Sequence, residues 1–212
     1  SGVTLSPRVT LLDGSVIEDG AVIHAGAVIG SSGFGLDERG QVPHHGVSRI
    51  GREARIGALT CVDRATVGVT SIGAQAQLDN LIQVGHNVSV GDQVVICAQT
   101  GLAGGAYIGD QSILAGQVGV AQHVHIGRES SVGAQSGVTK NLQSHGVYSG
   151  YPAERHRPRL QREARLRSLA RQTSHKAQRE VSSNTLKMSS DQVDGPGATS
   201  DLTPLIDPRS II

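Results

Sequence analysis

The chain has 212 residues and 28 glycines but one Phe, three Tyr and no Trp. This composition argues against a globular core of aromatic side chains and favours a repetitive core of Val, Ile, Leu and Ala. The formal net charge of +1 gives no global argument for binding nucleic acid or an anionic membrane, although charge is segregated along the chain.

Cysteine content and hydropathy indicate the compartment. Cys61 and Cys97 form no CxxC pair and are expected to be buried thiols in a reduced compartment. No apolar run approaches the roughly 20 residues that span a bilayer, and the N-terminal segment lacks the charged and apolar regions of a signal peptide. We therefore expect a cytoplasmic protein without stable membrane insertion.

Residues 1–145 contain a repeat of aliphatic residues with a period of six, which matches neither an α-helix nor an alternating strand. Each hexad is expected to supply one short strand and one bend, with the aliphatic residue pointing inward and glycine or another small residue turning the corner. Three hexads close one triangular coil. Hexads of this kind resemble those of acyltransferases with an all-β, left-handed parallel β-helix, and this resemblance implies the handedness. The repeated positions are Leu5, Leu11, Ile17, Ile23, Ile29, Ile50, Ile56, Val62, Ile72, Leu78, Val84, Val90, Ile96, Leu102, Ile108, Leu114, Val120, Ile126, Val132 and Val138.

A loop insertion is predicted near residues 31–49, where the interval from Ile29 to Ile50 exceeds three hexads. This segment is polar and glycine-rich and contains the only Phe of the chain. Because such loops often carry function, Phe34 and His44 are candidate substrate-binding residues. A smaller break follows Val62.

The repeat stops after Val138, and residues 146–172 are interpreted as an exit segment and a basic helix that begins near Pro158. Residues 155–171 contain seven Arg and one Glu. The helix is either a solvated element that closes the end of the prism or a docking site for an acidic partner. The candidate docking residues are Arg155, Arg157, Arg159, Arg162 and Arg165. Residues 173–212 are rich in Ser, Asp, Pro and Gly, and we expect them to be disordered.

His86, in the stretch LDNLIQVGHNVSVGD, is the candidate catalytic residue. It lies two residues after an inward position, where a side chain is expected to face outward near a corner. Gly104 follows one coil later, and Gln122, beside His123, follows one coil after that, so these positions should stack on one edge. An imidazole suits removal of a proton from an attacking amine or hydroxyl, and the Gly104 N–H suits an oxyanion. The pair fits acyl transfer without a covalent acyl-enzyme, although a lone His at a corner is more often a surface or packing residue.

Six motifs occur in the order and spacing of one family: GFG (33–35), TCVDRATV (60–67), LDNLIQVGHNVSVGD (78–92), LAGQVGVAQHVHIG (114–127), GAQSGVTKNL (133–142) and GVYSGYPA (146–153). From residue 3 to about 170 the chain resembles the UDP-3-O-acylglucosamine N-acyltransferases of lipid A biosynthesis. The resemblance implies a homotrimer that moves a 3-hydroxyacyl group from acyl carrier protein to the 2-amino group of a UDP-sugar lipid precursor. The phosphopantetheine belongs to the donor, and no resident cofactor or metal is implied.

The resemblance also implies roles for individual residues. His86 matches the general base, Gly104 the oxyanion donor, and His123 a second histidine that positions phosphopantetheine or substrate. Asp79 and Asn80 match a substrate-site motif before the base. From the residues alone, Asn80 equally suits a cap on a corner, and Asp79 an ion pair with Arg64.

One departure and three alternatives stay open at this stage. Family members carry an N-terminal uridine-binding domain, whereas this chain begins directly in hexads, so we expect that domain to be absent. The alternatives are a UDP-N-acetylglucosamine O-acyltransferase, a noncatalytic β-helix scaffold subunit, and a γ-class carbonic anhydrase. The last requires three converging histidines, but His123 and His125 lie one residue apart in an extended segment and should point to opposite faces.

Overall fold

The computed structural model describes residues 1–190, with side chains described through Thr173. It contains two units, which divide between Arg162 and Glu163. The first is a parallel β-helix built from three sheets, here called faces A, B and C, which confirms the predicted fold class. The handedness of the coil stays a prediction.

Strands are numbered in chain order. Face A contains β1 (Thr4–Leu5), β4 (Val22–Ile23), β9 (Arg55–Ile56), β12 (Gln77–Leu78), β15 (Val95–Ile96), β18 (Ile113–Leu114), β21 (Ser131–Val132), β23 (Val147–Ser149) and the antiparallel β24 (Glu154–Arg155). Face B contains β2 (Thr10–Leu11), β5 (Val28–Ser31), β10 (Cys61–Asp63), β13 (Gln83–Val84), β16 (Gly101–Leu102), β19 (Gly119–Val120) and β22 (Gly137–Val138). Face C contains β3 (Ser15–Ile17), β8 (Val47–Ile50), β11 (Val69–Ile72), β14 (Ser89–Val90), β17 (Tyr107–Ile108) and β20 (His125–Ile126).

Strand register confirms the coil of three hexads: Gln83 pairs with Gly101, and Gly101 with Gly119. At the predicted loop, Ile17 pairs with Ile50, so this coil is almost twice as long as a regular one. The insertion is therefore longer than the count from Ile29 suggests, because Ile29 and Ile50 lie on different faces and do not stack. It contains a small hairpin of β6 (Leu36–Asp37) and β7 (Gly40–Gln41).

The inward aliphatic residues form one continuous column. From Ile23 to Val138 every repeated position is at most 4% exposed, and burial of each such side chain stabilises the fold by about 1.5–3 kcal/mol. The first coil departs from the prediction, since Leu5 and Leu11 are 49% and 41% exposed. Within the described residues this coil has a stacked neighbour on one side only.

The corners are turned differently from the prediction. Except at Gly30 (φ 89°), the glycines that follow the inward residues do not supply the left-handed backbone; in the regular coils the residue two positions later does, as at Asn87 (φ 59°) and Gln93 (φ 57°). The glycines are instead required by close approach between coils, because a Cβ at Gly51 would lie 2.7 Å from the carbonyl carbon of Gly73. Left-handed residues cost roughly 1–2 kcal/mol each. Ladders of hydrogen-bonded glutamines along two corners, such as Gln75, Gln93 and Gln111, help to offset this cost.

Helix α1 (His156–Ser190) has 35 residues. Its start agrees with the prediction, and Pro158 lies in the first turn, where its missing N–H costs no helical hydrogen bond. The helix continues past the predicted boundary at residue 173 as far as Ser190, and the rest of the predicted tail lies outside the described residues. Among the described residues no helix is long and apolar enough to cross a membrane.

Candidate active site

His86, Gly104 and His123 occupy successive coils at the corner between faces B and C. The Gly105 N–H donates to the His86 carbonyl (2.8 Å), and the His123 N–H donates to the Gly104 carbonyl (3.1 Å). The His86 ring lies against Gly104, where an added Cβ would be 2.5 Å from His86 Nε2. The predicted stacking of the base and the glycine is confirmed, and the glycine makes room for the imidazole.

Asn87 orients the His86 ring. Its Nδ2 donates to the Val67 carbonyl (2.8 Å), and its Oδ1 accepts from the Thr66 N–H (3.0 Å), so the orientation of the amide is determined by these two contacts. Oδ1 also lies 3.1 Å from His86 Nδ1 and can only accept a hydrogen bond. In the neutral ring Nδ1 therefore carries the hydrogen, and Nε2, beside Gly104, has the free lone pair that a general base requires.

The Gly104 N–H donates to no acceptor within the described part of the chain, although both of its neighbours are bonded. Ala103 donates to the Val120 carbonyl (3.0 Å), and Gly105 donates to His86 as above. This free donor and His86 border one open cavity of about 680 Å³, whose lining also includes Phe34, Asp63 and Gln83. A backbone donor of this kind can stabilise a developing oxyanion.

The inserted loop covers the outer side of this corner. Phe34 lines the cavity and is 82% exposed; its substrate-binding role stays a prediction. A Cβ at Gly33 would lie 2.8 Å from His44 Nε2 and 2.9 Å from the His86 Cβ, so the GFG segment packs closely on both histidines. His44 is buried, meets the His86 ring edge to face at 5.1 Å, and is absent from the cavity lining. In the described residues neither of its ring nitrogens has a hydrogen-bond partner.

His123 and His125 do not line the cavity that contains His86. His123 packs on Gly105 with its ring outside the lining of the cavity, which Gln122 contributes to instead. His125 stacks on Tyr107 on face C, with ring centroids 4.0 Å apart. Among the described residues no group of three potential metal ligands occurs.

Asp79 and Asn80 lie at a different corner, between faces A and B, and border a separate cavity of about 700 Å³ with His24 and Arg55. Asn80 Oδ1 accepts from the Ala58 N–H (2.7 Å), and Asp79 Oδ2 from the Ala98 N–H (3.2 Å), so both side chains cap the corner. The alternative pairing of Asp79 with Arg64 is wrong, because Arg64 donates to the Gly30 and Asp13 carbonyls. A single chain does not bring this motif to His86.

Sequence reasoning missed Asp63, a buried carboxylate in the cavity lining. Its oxygens accept from Ser31 Oγ (2.7 Å) and Gln83 Nε2 (2.8 Å). Burial raises the pKa of Asp63, against the opposing effects of these two donors and of the imidazoles of His44 and His86. An acidic residue directly after the inward Val62 was the available signal.

A trough whose floor lacks side chains runs along face B from the active cavity. Its floor is the in-register stack of Gly101, Gly119 and Gly137. The trough has a volume of about 450 Å³ and extends from Gln83, which also lines the active cavity, to Tyr151. The Tyr151 ring lies over Gly137, so the trough is closed at that end.

The predicted docking arginines are partly engaged within the chain. Arg155 lies over the Tyr148 ring (5.1 Å), and Arg159 donates to Ser149 Oγ (3.2 Å). Arg162 makes a bidentate pair with Glu154 (2.6 and 2.5 Å) and lowers the pKa of that carboxyl. Arg157 is exposed, and so is Arg165, which belongs to the second unit.

Comparisons with known proteins agree with the motifs. The chain is 53% identical over 145 residues to the UDP-3-O-acylglucosamine N-acyltransferase of Syntrophotalea carbinolica, covering 66% of this chain and 42% of the relative. It is 49% identical over 167 residues to UDP-3-O-acylglucosamine N-acyltransferase 1 of Gloeobacter violaceus, covering 77% and 44%. These matches confirm the predicted resemblance. The chain spans less than half the length of these relatives. No family model matches the chain.

Among solved structures, the UDP-N-acetylglucosamine O-acyltransferase of Moraxella catarrhalis superposes with a TM-score of 0.56 at 26% identity, covering 72% of this chain and 73% of that one. This similarity agrees with the parallel coil described above.

Proposed function

We propose that this chain acts as an acyltransferase of lipid A biosynthesis, moving a 3-hydroxyacyl group from acyl carrier protein to the 2-amino group of UDP-3-O-acylglucosamine. The observation that carries the proposal is the placement of the His86 Nε2 lone pair beside the free N–H of Gly104. The relatedness to UDP-3-O-acylglucosamine N-acyltransferases supports the choice of substrates.

The proposed reaction proceeds by direct attack. The acceptor amine adds to the thioester carbonyl while His86 Nε2 takes a proton from the nitrogen. The carbonyl oxygen becomes an oxyanion that accepts a hydrogen bond from the Gly104 N–H. Collapse of this intermediate breaks the carbon–sulfur bond, and the imidazolium returns its proton to the departing phosphopantetheine thiolate. No covalent acyl-enzyme forms, and the protein needs no resident cofactor or metal.

The glycine trough on face B supports an acyl substrate. Gly101 and Gly119 have nothing within 4 Å of the position of an added Cβ, so the floor is open, and the lining also includes the small residues Ala103 and Ala121. An alkyl chain in this trough would start at the active cavity. His123, on the adjoining coil, is proposed to position the phosphopantetheine or the substrate.

We further propose that the enzyme is a homotrimer. The cavity at His86 is open, and a β-helix coil is too narrow to enclose a deep pocket, so a second copy is needed to wall the site. The corner with Asp79 and Asn80 is proposed to supply that wall from the neighbouring subunit. The acidic carrier protein is proposed to dock near the exposed Arg155 and Arg157, which its charge would complement.

A transfer assay with 3-hydroxyacyl carrier protein tests the function. We expect product with UDP-3-O-acylglucosamine and a fall of about 10²–10⁴ in kcat for His86→Ala. His45→Ala, which changes an exposed histidine of the inserted loop, should keep the original rate. Turnover with UDP-N-acetylglucosamine instead would establish the O-acyltransferase alternative, which the Moraxella catarrhalis similarity favours. No turnover with either acceptor, from folded protein, would contradict the proposal and favour the scaffold.

A further inference from the structure

Asp63 is a buried carboxylate that the acyl-transfer steps above do not use. It is 8% exposed, and it lines the same cavity as His86 and Gly104. A buried charge is costly unless it is compensated, yet its direct partners are a hydroxyl and an amide, both uncharged. The position therefore suggests a charge that appears during function.

The local hydrogen bonds favour the ionised form of Asp63. Ser31 Oγ and Gln83 Nε2 both donate to the carboxyl group, and donors directed at both oxygens stabilise a carboxylate rather than a carboxylic acid. Ser31 belongs to β5 and Gln83 to β13, the two strands on either side of β10. The sheet thus holds the carboxylate in place at the floor of the cavity.

The groups that face His86 are identifiable. Thr66 Oγ1 (3.4 Å) and Asn87 Oδ1 (3.1 Å) approach Nδ1, so Asp63 makes no direct bond to that nitrogen. The titratable groups nearby are His44 from the inserted loop, Asp63 from β10, and His123 from the corner one coil beyond Gly104. Cys61, whose thiol pKa is raised by burial and by Asp63, lies on the strand of Asp63. Asp63 is the carboxylate among these groups.

We infer that Asp63 is the electrostatic counter-charge for the imidazolium that His86 becomes when it takes the acceptor's proton. The inference rests on the proposed function. After the proton moves to Nε2, the positive ring shares the cavity with the Asp63 carboxylate, while the oxyanion accepts a hydrogen bond from the Gly104 N–H. His44, packed edge to face on His86 with its nitrogens inaccessible to water, excludes solvent from one side of the ring, so the attraction is weakly screened. Asp63 thus acts through His86, whose positive charge it stabilises, and does not touch the substrate.

Three variants separate charge from shape. Asp63→Asn keeps the shape and removes the charge, Asp63→Glu keeps the charge and changes the shape, and Glu38→Gln removes one negative charge from an exposed site on the inserted loop. We expect Asp63→Asn to lower kcat about 10- to 100-fold and to move the acidic limb of the kcat/KM profile to lower pH by about one unit, since the imidazolium loses a stabilising charge. Asp63→Glu should leave the limb near its original position, and Glu38→Gln should change neither quantity.

A second measurement does not depend on turnover. The imidazole of His86 is followed by NMR in protein with isotope-labelled histidine, its signal being assigned by its loss in His86→Ala. We expect its titration midpoint to fall in Asp63→Asn and to be retained in Asp63→Glu. If the midpoint and the acidic limb are unmoved while kcat falls, Asp63 is only structural and the inference is overturned. If the midpoint falls in Asp63→Asn but wild-type protein shows no turnover, the electrostatic pairing holds and the proposed acyl transfer fails.

Discussion

Gly104 shows how one missing side chain defines the site. A Cβ at this position would lie 2.5 Å from His86 Nε2, so Gly104→Ala must displace the imidazole from the free N–H. We expect kcat to fall about 10²- to 10³-fold, the usual effect of losing an oxyanion donor, with little change in thermal stability. Gly116→Ala is the matched control, because its Cβ would make an ordinary 3.5 Å contact with the Ala98 carbonyl. Equal losses in the two variants would contradict this account.

The burial of Asp63 also predicts how the stability of the fold depends on pH. Burial raises its pKa above the ordinary 3.8, so the folded protein binds this proton more tightly than the unfolded chain does. The free energy of unfolding therefore falls as pH rises from 3.8 towards the pKa of Asp63 in the folded protein, and it stays lower above that pKa. Below pH 3.8 this loss of stability is absent. We expect Asp63→Asn to be more stable than wild type at pH 7 and to lose that advantage at pH 3. Urea unfolding at both pH values measures the difference, and a difference independent of pH would refute the prediction.

At the scale of the elements, the shape of face B predicts which acyl chain lengths the protein accepts. Its outward positions in β16, β19 and β22 are all glycine, and an added Cβ at Gly119 meets nothing within 4 Å. Gly119→Val should therefore fold normally but fill the middle of the trough. We expect selectivity, measured as kcat/KM with carrier protein loaded with 3-hydroxyacyl chains of increasing length, to shift towards shorter chains. A uniform loss at all lengths would show that the acyl chain lies elsewhere.

The hexad period was sufficient to predict the elements but not their irregularities. A period of six identifies the inward column from Ile23 to Val138 and the stacking of His86 on Gly104, because both follow from simple addition along regular coils. The left-handed corners recur with the same period, as at Asn87, Gln93 and Gln99, but they are formed mostly by residues other than glycine, so the glycines of the repeat do not reveal them. Asp63 depends on Ser31 and Gln83, which reach it across two interrupted coils, and no count along the sequence places these three residues together.

At the scale of the whole molecule, the cavity at His86 and the cavity at Asp79 and Asn80 lie at different corners of one chain. His86 lies at the corner between faces B and C, whereas Asp79 and Asn80 lie between faces A and B. In the proposed closed trimer, His86 of one subunit would meet the Asp79 and Asn80 motif of its neighbour. We expect His86→Ala and a double variant of Asp79→Ala and Asn80→Ala each to be inactive alone. Unfolding the two together and refolding them as mixed trimers should restore activity to about a quarter of wild type, because one site in four then combines two intact halves. Separately refolded samples mixed afterwards are the control. Mixed trimers without recovered activity would mean that each site is built within one chain, and would remove the main reason for assigning Asp79 and Asn80 to the substrate.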